Sequence, residues 1–390
     1  MTTNIIITLC ALLLLAYLFD LSASKTKIPS VILLLLLGWG VRQGTVFFNI
    51  APPDLTPVLP ILGTIGLILI VLEGSLELEL NTSRLPFVGK ASLLALLPML
   101  LFSFALAYAF ARLGNISFKT GLANAIPFAV ISSAIAIPSA QNIGAGGKEF
   151  ITYESSLSDI FGVIFFNFIT LNDNIGTTSV GHFILQLVLI LVVTFIATLG
   201  LAFLLGKIKH HVKFVPIILM IVLIYAVSKI YHLPGLIFIL LFGLFLGNID
   251  ELTHIRFIQK LKPDILQTEV HKFKELTGEI TFLIRALFFL LFGYLIQTTE
   301  LLNTATIAWA IGITAAIFGI RLVFIKLFSF PLRPLVFIAP RGLITILLFL
   351  SIPVTQTTAL ASNSLVIQVI ILTALVMMAG LITHKTPEEN

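Results

Sequence analysis

Apolar stretches close to or above the roughly 20 residues needed to cross a bilayer recur from one end of this chain to the other, with the charges gathered between them. Of the 390 residues, 58% are hydrophobic and 11% charged, whereas an ordinary soluble domain carries about 25% charged residues. No soluble core can absorb that much apolar surface. The chain therefore reads as an all-α polytopic membrane protein. Thirteen spans are expected, at approximately 4 to 19, 28 to 42, 57 to 76, 85 to 110, 118 to 140, 154 to 171, 183 to 206, 213 to 230, 234 to 247, 278 to 297, 304 to 328, 334 to 353 and 364 to 383. The second and ninth are short for a full crossing. The longest polar connection runs from about Asn248 to Leu276 and the tail after His384 is brief, so no soluble domain is expected. Any activity must then be built inside the bilayer, and the chain is not expected to be an enzyme.

The start, Met1-Thr2-Thr3-Asn4, lacks the basic region of a cleavable signal, so the first apolar stretch is expected to remain as a span. The single cysteine, Cys10, excludes an intrachain disulfide and reads as apolar filler. A net charge of +5 could suggest nucleic acid, but its distribution suggests topology. Every second connection is rich in Lys and Arg: Lys25 and Lys27; Arg84 and Lys90; Lys148; Lys207, Lys209 and Lys213; Arg256, Lys260, Lys262, Lys272 and Lys274; Lys326 and Arg333; Lys385. The others hold Arg42, Arg112, Lys119 and Lys229. By the positive-inside bias the rich set faces the cytoplasm, placing the N-terminus outside and the C-terminus inside.

Charged residues within spans are costly and are candidates for function, each with a partner to be named. Here they are Glu73 in the third span, Glu154 and Asp159 in the sixth, Arg285 in the tenth, Arg321 in the eleventh and Arg341 in the twelfth. Ser155 and Asp159 stack one helical turn apart, with Ser158 beside them. A carboxylate with nearby hydroxyls suits a dehydrated alkali cation, because hard cations take oxygen ligands. Glu154 either joins this polar face or marks the interfacial end of its helix. Arg321 pairs with a buried carboxylate such as Glu154 or else snorkels to the surface. His182, His210, His211, His232, His254 and His271 fall in connections or at span ends, so no histidine relay or metal site is expected.

Two spans carry helix-breaking signals. In the fifth, Pro127 and Pro138 bracket Ser132 and Ser133; in the twelfth, Pro340 and Gly342 flank Arg341. Interrupted helices at corresponding places in two halves point to a transporter of inverted-repeat type, its site near the midplane.

These residues resemble the monovalent cation:proton antiporter family, in particular the electroneutral branch of NhaP-type sodium/proton antiporters, over essentially the whole membrane domain. Glu73-Gly74 resembles the acid-glycine step ending the third helix of that branch, and Glu154-Ser155-Ser156-Leu157-Ser158-Asp159 its sixth-helix Glu-Ser-x-x-Asn-Asp signature. The segment GEITFLIRALFFLLFGYLI resembles the tenth helix, Arg321 a basic position of the eleventh, and Pro340-Arg341-Gly342 the Arg-Gly break of the twelfth. There are two departures. Ser158 stands where the branch usually has Asn, and Ser132-Ser133-Ala134-Ile135 where it has Thr-Asp-Pro, closer to the Ser-Ser-Thr-Ala pattern of a second branch that includes potassium efflux systems.

The resemblance implies two broken helices crossing in a core, and a homodimer. Residues 1–80 and 183–297 (spans 1 to 3 and 7 to 10) would form a dimerisation panel, and 85–175 and 304–384 (spans 4 to 6 and 11 to 13) a mobile transport core. The expected activity is exchange of a monovalent cation, Na⁺ foremost, for H⁺ by alternating access across a bacterial plasma membrane, with no cofactor and no nucleic-acid partner. Asp159 would carry cation and proton in turn. Ser155, Ser132, Ser133 and Ser158 would surround it with oxygens, Glu73 would complete the site from the panel, and Glu154 with Arg321 would brace the core. Because Ser158 cannot titrate, the exchange is expected to be electroneutral. The alternatives are K⁺/H⁺ exchange and a non-transporting membrane sensor or assembly protein on the same fold.

Overall fold

A computed structural model describes residues 2–26, 28–49, 54–78, 84–141, 143–172, 176–207, 212–251 and 263–383. The expectations placed on Lys27, Lys209, Arg256, Lys260, Lys262, Lys385, His210, His211, His254 and the tail from His384 lie outside the described residues. The helices are α1 (Thr2–Thr26), α2 (Ser30–Phe47), α3 (Val58–Glu77), α4 (Leu85–Gly114), α5 (Phe118–Ala129), α6 (Ser133–Ser139), α7 (Ala145–Leu171), α8 (Thr177–Lys207), α9 (Phe214–Ile230), α10 (Gly235–Gly247), α11 (Pro263–Leu295), α12 (Thr304–Leu327), α13 (Leu343–Leu350) and α14 (Asn363–Thr383). Ten segments are long and apolar enough to cross a bilayer, α5 and α6 together making one of them, and α9 and α10 are shorter apolar helices. With the broken crossing around α13 these make thirteen passages. Exposed Leu, Ile, Val and Phe side chains run along α8 and α9, where only a lipid environment lowers their free energy. The chain is an integral, multi-pass membrane protein.

Local sequence sets several boundaries. Ser117 caps α5 by accepting from the Thr120 N–H at 3.1 Å, and Asn303 caps α12 by accepting from the Ala305 N–H at 3.1 Å. The left-handed residue Asn115 (φ 49°) ends α4. α10, apolar on every side, lies inside the bundle.

Four expectations about the spans change. The second is not short: α2 continues through Arg42, whose guanidinium lies 5.7 Å from the Tyr294 ring centre, and Gln43, which donates to the Thr298 hydroxyl at 3.1 Å. The first runs past Asp20. The sixth begins at Ala145, so Glu154 lies well inside the helix and is buried, not at an interfacial end. The connection from Asn248 is shorter than expected, since α11 is helical from Pro263 and carries Lys272, Lys274 and His271 along its length.

α2 packs along α11, α3 along α10 and α11, and α8 along α10; α4 packs along α5 and α7, and α12 along α14. α3 touches α6, α7 and α13 as well. In lipid, close helix contact depends on small residues because no hydrophobic drive separates helix from solvent. The α2–α11 pair uses two. A Cβ at Gly38 would stand 2.2 Å from the Leu290 carbonyl oxygen, and one at Gly293 would stand 2.3 Å from that of Leu35. Backbone cannot yield as a side chain can. Gly293→Ala is therefore expected to lower stability by about 1–3 kcal/mol, the cost of overpacking, whereas Gly312→Ala, with nothing within 4 Å of its Cβ position, should gain about 0.5–1 kcal/mol of helix propensity. Thermal denaturation of the two variants in detergent checks the opposite signs.

Candidate functional site

The centre is set by backbone groups that have lost helical partners. α5 stops at Ala129, and Val130 to Ser132 run extended before α6 begins. A second non-helical stretch, from Ile338 to Gly342, precedes α13. Unpaired amides and carbonyls at this depth would each cost several kcal/mol, so where they go decides the site. The buried guanidinium of Arg341 donates from Nε to the Phe128 carbonyl at 2.7 Å, from Nη2 to that of Ala129 at 3.1 Å, and from Nη1 to that of Ala339 at 2.7 Å. The Ser132 N–H donates to the Pro340 carbonyl at 2.9 Å, joining the two breaks directly. The Arg341 N–H donates to the Thr373 hydroxyl at 3.1 Å. A Cβ at Gly342 would come within 2.5 Å of Ile135 Cδ1, so the crossing admits only glycine without a shift of that side chain. As the sequence leads one to expect, Pro127, inside α5, and Pro138, inside α6, flank the first interruption, and Pro340 lies within the second.

α7 passes beside this crossing, and its signature divides by direction, each residue turning about 100° from the last. Glu154 and Ser158 face similar ways. Glu154 forms a two-pronged ion pair with Arg321 on α12, Nη1 to Oε1 at 2.7 Å and Nη2 to Oε2 at 2.8 Å, while Arg321 Nε donates to the Leu335 carbonyl at 2.9 Å. Ser158 Oγ accepts from the Ile131 N–H at 3.0 Å, so this serine stabilises the broken backbone. Arg321 and Arg341 are both buried at this crossing, one cancelled by Glu154 and the other hydrogen-bonded by carbonyls.

Asp159 points the other way and is 1% exposed. Its Oδ2 accepts a short hydrogen bond from the Ser133 hydroxyl and a longer one, 3.4 Å, from the Ser133 N–H at the start of α6. Its Oδ1 is buried without a hydrogen-bond partner among the described residues, as are Ser132 Oγ and Ser156 Oγ. The Ser155 hydroxyl donates to the Ile151 carbonyl at 2.7 Å, which leaves its lone pairs as what it can offer a cation. Oxygen donors of this kind, with one carboxylate half satisfied, suit a hard cation better than a soft transition metal.

Glu73 comes from α3. Its Oε1 lies 3.4 Å from the position a Cβ would take on Gly278 of α11, and its side chain lines a cavity of about 370 Å³ with Asp20, Glu77, Ser133, Lys148 and Arg285. Ser133 is the residue that both lines this cavity and holds Asp159. Sequence reasoning did not single out Asp20, because the first span was ended one residue before it; the apolar residue after it, Leu21, was the available signal. It also missed Ser156 and the use of Arg341 as a clamp on the opposite break, which depends on a partner segment over 200 positions away.

The buried Glu154–Arg321 pair yields a stability prediction. Removing one partner strands the other charge at a cost of about 3–5 kcal/mol. Glu154→Gln and Arg321→Gln should each lower the thermal midpoint more than Asp159→Asn, and the double variant should lose less than the sum. Strict additivity in the denaturation cycle would show that the two groups do not interact.

Comparison with known proteins gives the same picture. Residues 10–386 match the family model described as sodium/hydrogen exchanger, transmembrane. The fold is similar to the structure of the sodium proton antiporter MjNhaP1 from Methanocaldococcus jannaschii at pH 8, with a TM-score of 0.66 and 20% identity over 97% of each chain. It is similar also to an electron-microscopy structure of that antiporter, with a TM-score of 0.70 and 19% identity over 97% of this chain and 95% of the other. Among curated proteins no relative matches. With a family model covering nearly its whole length, the chain belongs to the transmembrane sodium/hydrogen exchanger family.

Proposed function

We propose that this protein exchanges Na⁺ for H⁺ by alternating access, with Asp159 binding the two in turn. The observation that carries the reading is a buried carboxylate with one oxygen held by Ser133 and the other without a partner, at the crossing of two broken helices and reached from a cavity through Ser133. A bare carboxylate is unstable at that depth, and either a proton or a sodium ion relieves it. One occupant excludes the other, because both need the same oxygens. Ser132, Ser133, Ser155 and Glu73 are proposed to supply further oxygens. The core can cross between states with Asp159 neutralised by either ion and is held back when it is bare, which is the condition for coupling.

Alternating access needs water on each side in turn. The cavity lined by Glu73 and Ser133 lies at the C-terminal end of α3, and a second, of about 430 Å³, lies near its N-terminal end, lined by Arg42, Asp54, Leu59 and Glu300 among others. The first borders the Lys-rich connections, so under the proposed orientation, N-terminus outside and C-terminus cytoplasmic, this conformation opens inward. Residues 1–80 and 183–297 are proposed as the static panel and dimer interface, and 85–175 and 304–384 as the moving core; the packing of α2, α3, α8 and α10 with α11, and of α4 with α5 and α7, is consistent with that division. A bacterial plasma membrane is the proposed location.

Asp159→Asn keeps the shape and loses the titrating charge. It should give a folded protein with no Na⁺-dependent proton flux in proteoliposomes at any Na⁺ concentration. Exchange at the wild-type rate would move the carrier role to Glu73 or Glu154.

A second prediction concerns charge. One carboxylate alternating between one Na⁺ and one H⁺ moves a positive charge each way, so the net transfer is zero. A membrane potential supplies about 2.3 kcal/mol per elementary charge per 100 mV, and a neutral exchange does not feel it. Proton flux should be unchanged when a diffusion potential is imposed on the liposomes. Flux that follows the voltage would mean that a second group, Glu73 first, also exchanges its proton.

A further inference from the structure

The cavity leading to Ser133 holds two cations of the protein's own, and each could compete with sodium for a carboxylate. Lys148 is held by Glu77, Nζ to Oε2 at 3.7 Å. Arg285 is held by Asp20, Nη2 to Oδ1 at 3.7 Å. Asp20 is in turn fixed by the Ser30 hydroxyl, which donates to the same Oδ1 at 3.0 Å from the start of α2. Glu73, on the same cavity wall, makes no ion pair among the described residues.

The geometry of α11 makes Arg285 the closer threat. Glu73 lies against Gly278, and Arg285 follows seven residues later, two turns along the same face and about 10.5 Å farther on. Side chains on a helix lean toward its N-terminus, so a free guanidinium at position 285 extends back toward the turn against which Glu73 lies. Thr281, between them on that face, brings no charge to intercept it; Glu279, beside Gly278 on the cavity wall, is an acid that makes no ion pair among the described residues. What draws Arg285 elsewhere is Asp20, on a different helix, and the contact is a single long one.

We propose that Asp20 is a positioning residue for ion binding: by holding the Arg285 guanidinium toward α1, it keeps an internal cation off Glu73 and leaves the path to Asp159 open to sodium. This rests on the sodium-binding role given above to Glu73 and Asp159. Asp20 touches neither ion in this scheme. It acts through Arg285, and losing it converts Arg285 into a tethered competitor. Competition of that kind raises the sodium concentration needed for half-maximal rate without slowing the loaded carrier.

The test is sodium-dependent proton flux in proteoliposomes over a range of Na⁺ concentrations. Asp20→Asn is expected to raise KM for Na⁺ by about tenfold, a single-charge coupling on the usual scale, with kcat within about twofold of the wild type. Adding Arg285→Gln to it should return KM to the wild-type value, because the competitor is gone. An unchanged KM in Asp20→Asn, or no recovery in the double variant, overturns the proposal. A merely structural role for the pair would lower kcat and thermal midpoint in both variants and would not be cured by removing the partner, which also overturns it. The same order of sodium affinities is expected from the Na⁺-dependent rise in thermal midpoint of detergent-purified protein, a readout that needs no transport. Sodium binding in that order without proton flux would sink the exchange reading and leave this one standing.

Discussion

The guanidinium of Arg341 closes three backbone carbonyls from two interrupted helices, and without that closure neither interruption could persist at bilayer depth. A continuous helix satisfies its own backbone, whereas a break leaves polar groups that water cannot reach. Here each break supplies what the other lacks: the Pro340 carbonyl takes the Ser132 N–H, and Arg341 takes the carbonyls at the end of α5. The arrangement is reciprocal, so the two breaks form together. It places the N-terminal residues of α6, and with them Ser133, against α7.

A charge pattern follows from that placement. The crossing gathers two arginines, so a carboxylate is needed nearby, and α7 offers two in consecutive turns. Glu154 is saturated by Arg321, both oxygens engaged. Asp159, half satisfied by a serine, is the one left with an open oxygen. Two acids five residues apart on one helix thus differ in role because they face different neighbours. A similar division recurs in the cavity, where Glu77 and Asp20 hold internal cations while Glu73 and Glu279 make no ion pair among the described residues.

Much of this was legible in the chain itself. Span length and the bilayer thickness impose the all-helical class, because in lipid a helix is the local way to satisfy a backbone. The sequence names Glu73, Glu154, Asp159, Arg285, Arg321 and Arg341 as charges within spans, and leaves out Asp20. Asp20 escaped because a span boundary drawn by hydropathy stops at a charge, whereas the helix continues wherever a partner such as Arg285 or Ser30 awaits it. For the same reason α2 runs five residues beyond Arg42, where hydropathy ends it, and α7 begins nine residues before Glu154.

What the sequence determined by itself was the membrane, the number of passages, the two interrupted spans and the candidate acids, all consequences of local hydropathy and of residue types that break helices or carry charge. Only the tertiary structure decided how the breaks are satisfied and which acid stays open. The prolines bracket the interruption in the sequence as in the structure, but nothing local says that Arg341 and Pro340 from the other half reach the freed groups there. Glu154 and Asp159 are alike as letters. Their difference arises from Arg321 and Ser133, which approach α7 from opposite sides along segments remote in the chain, and no local pattern encodes that approach.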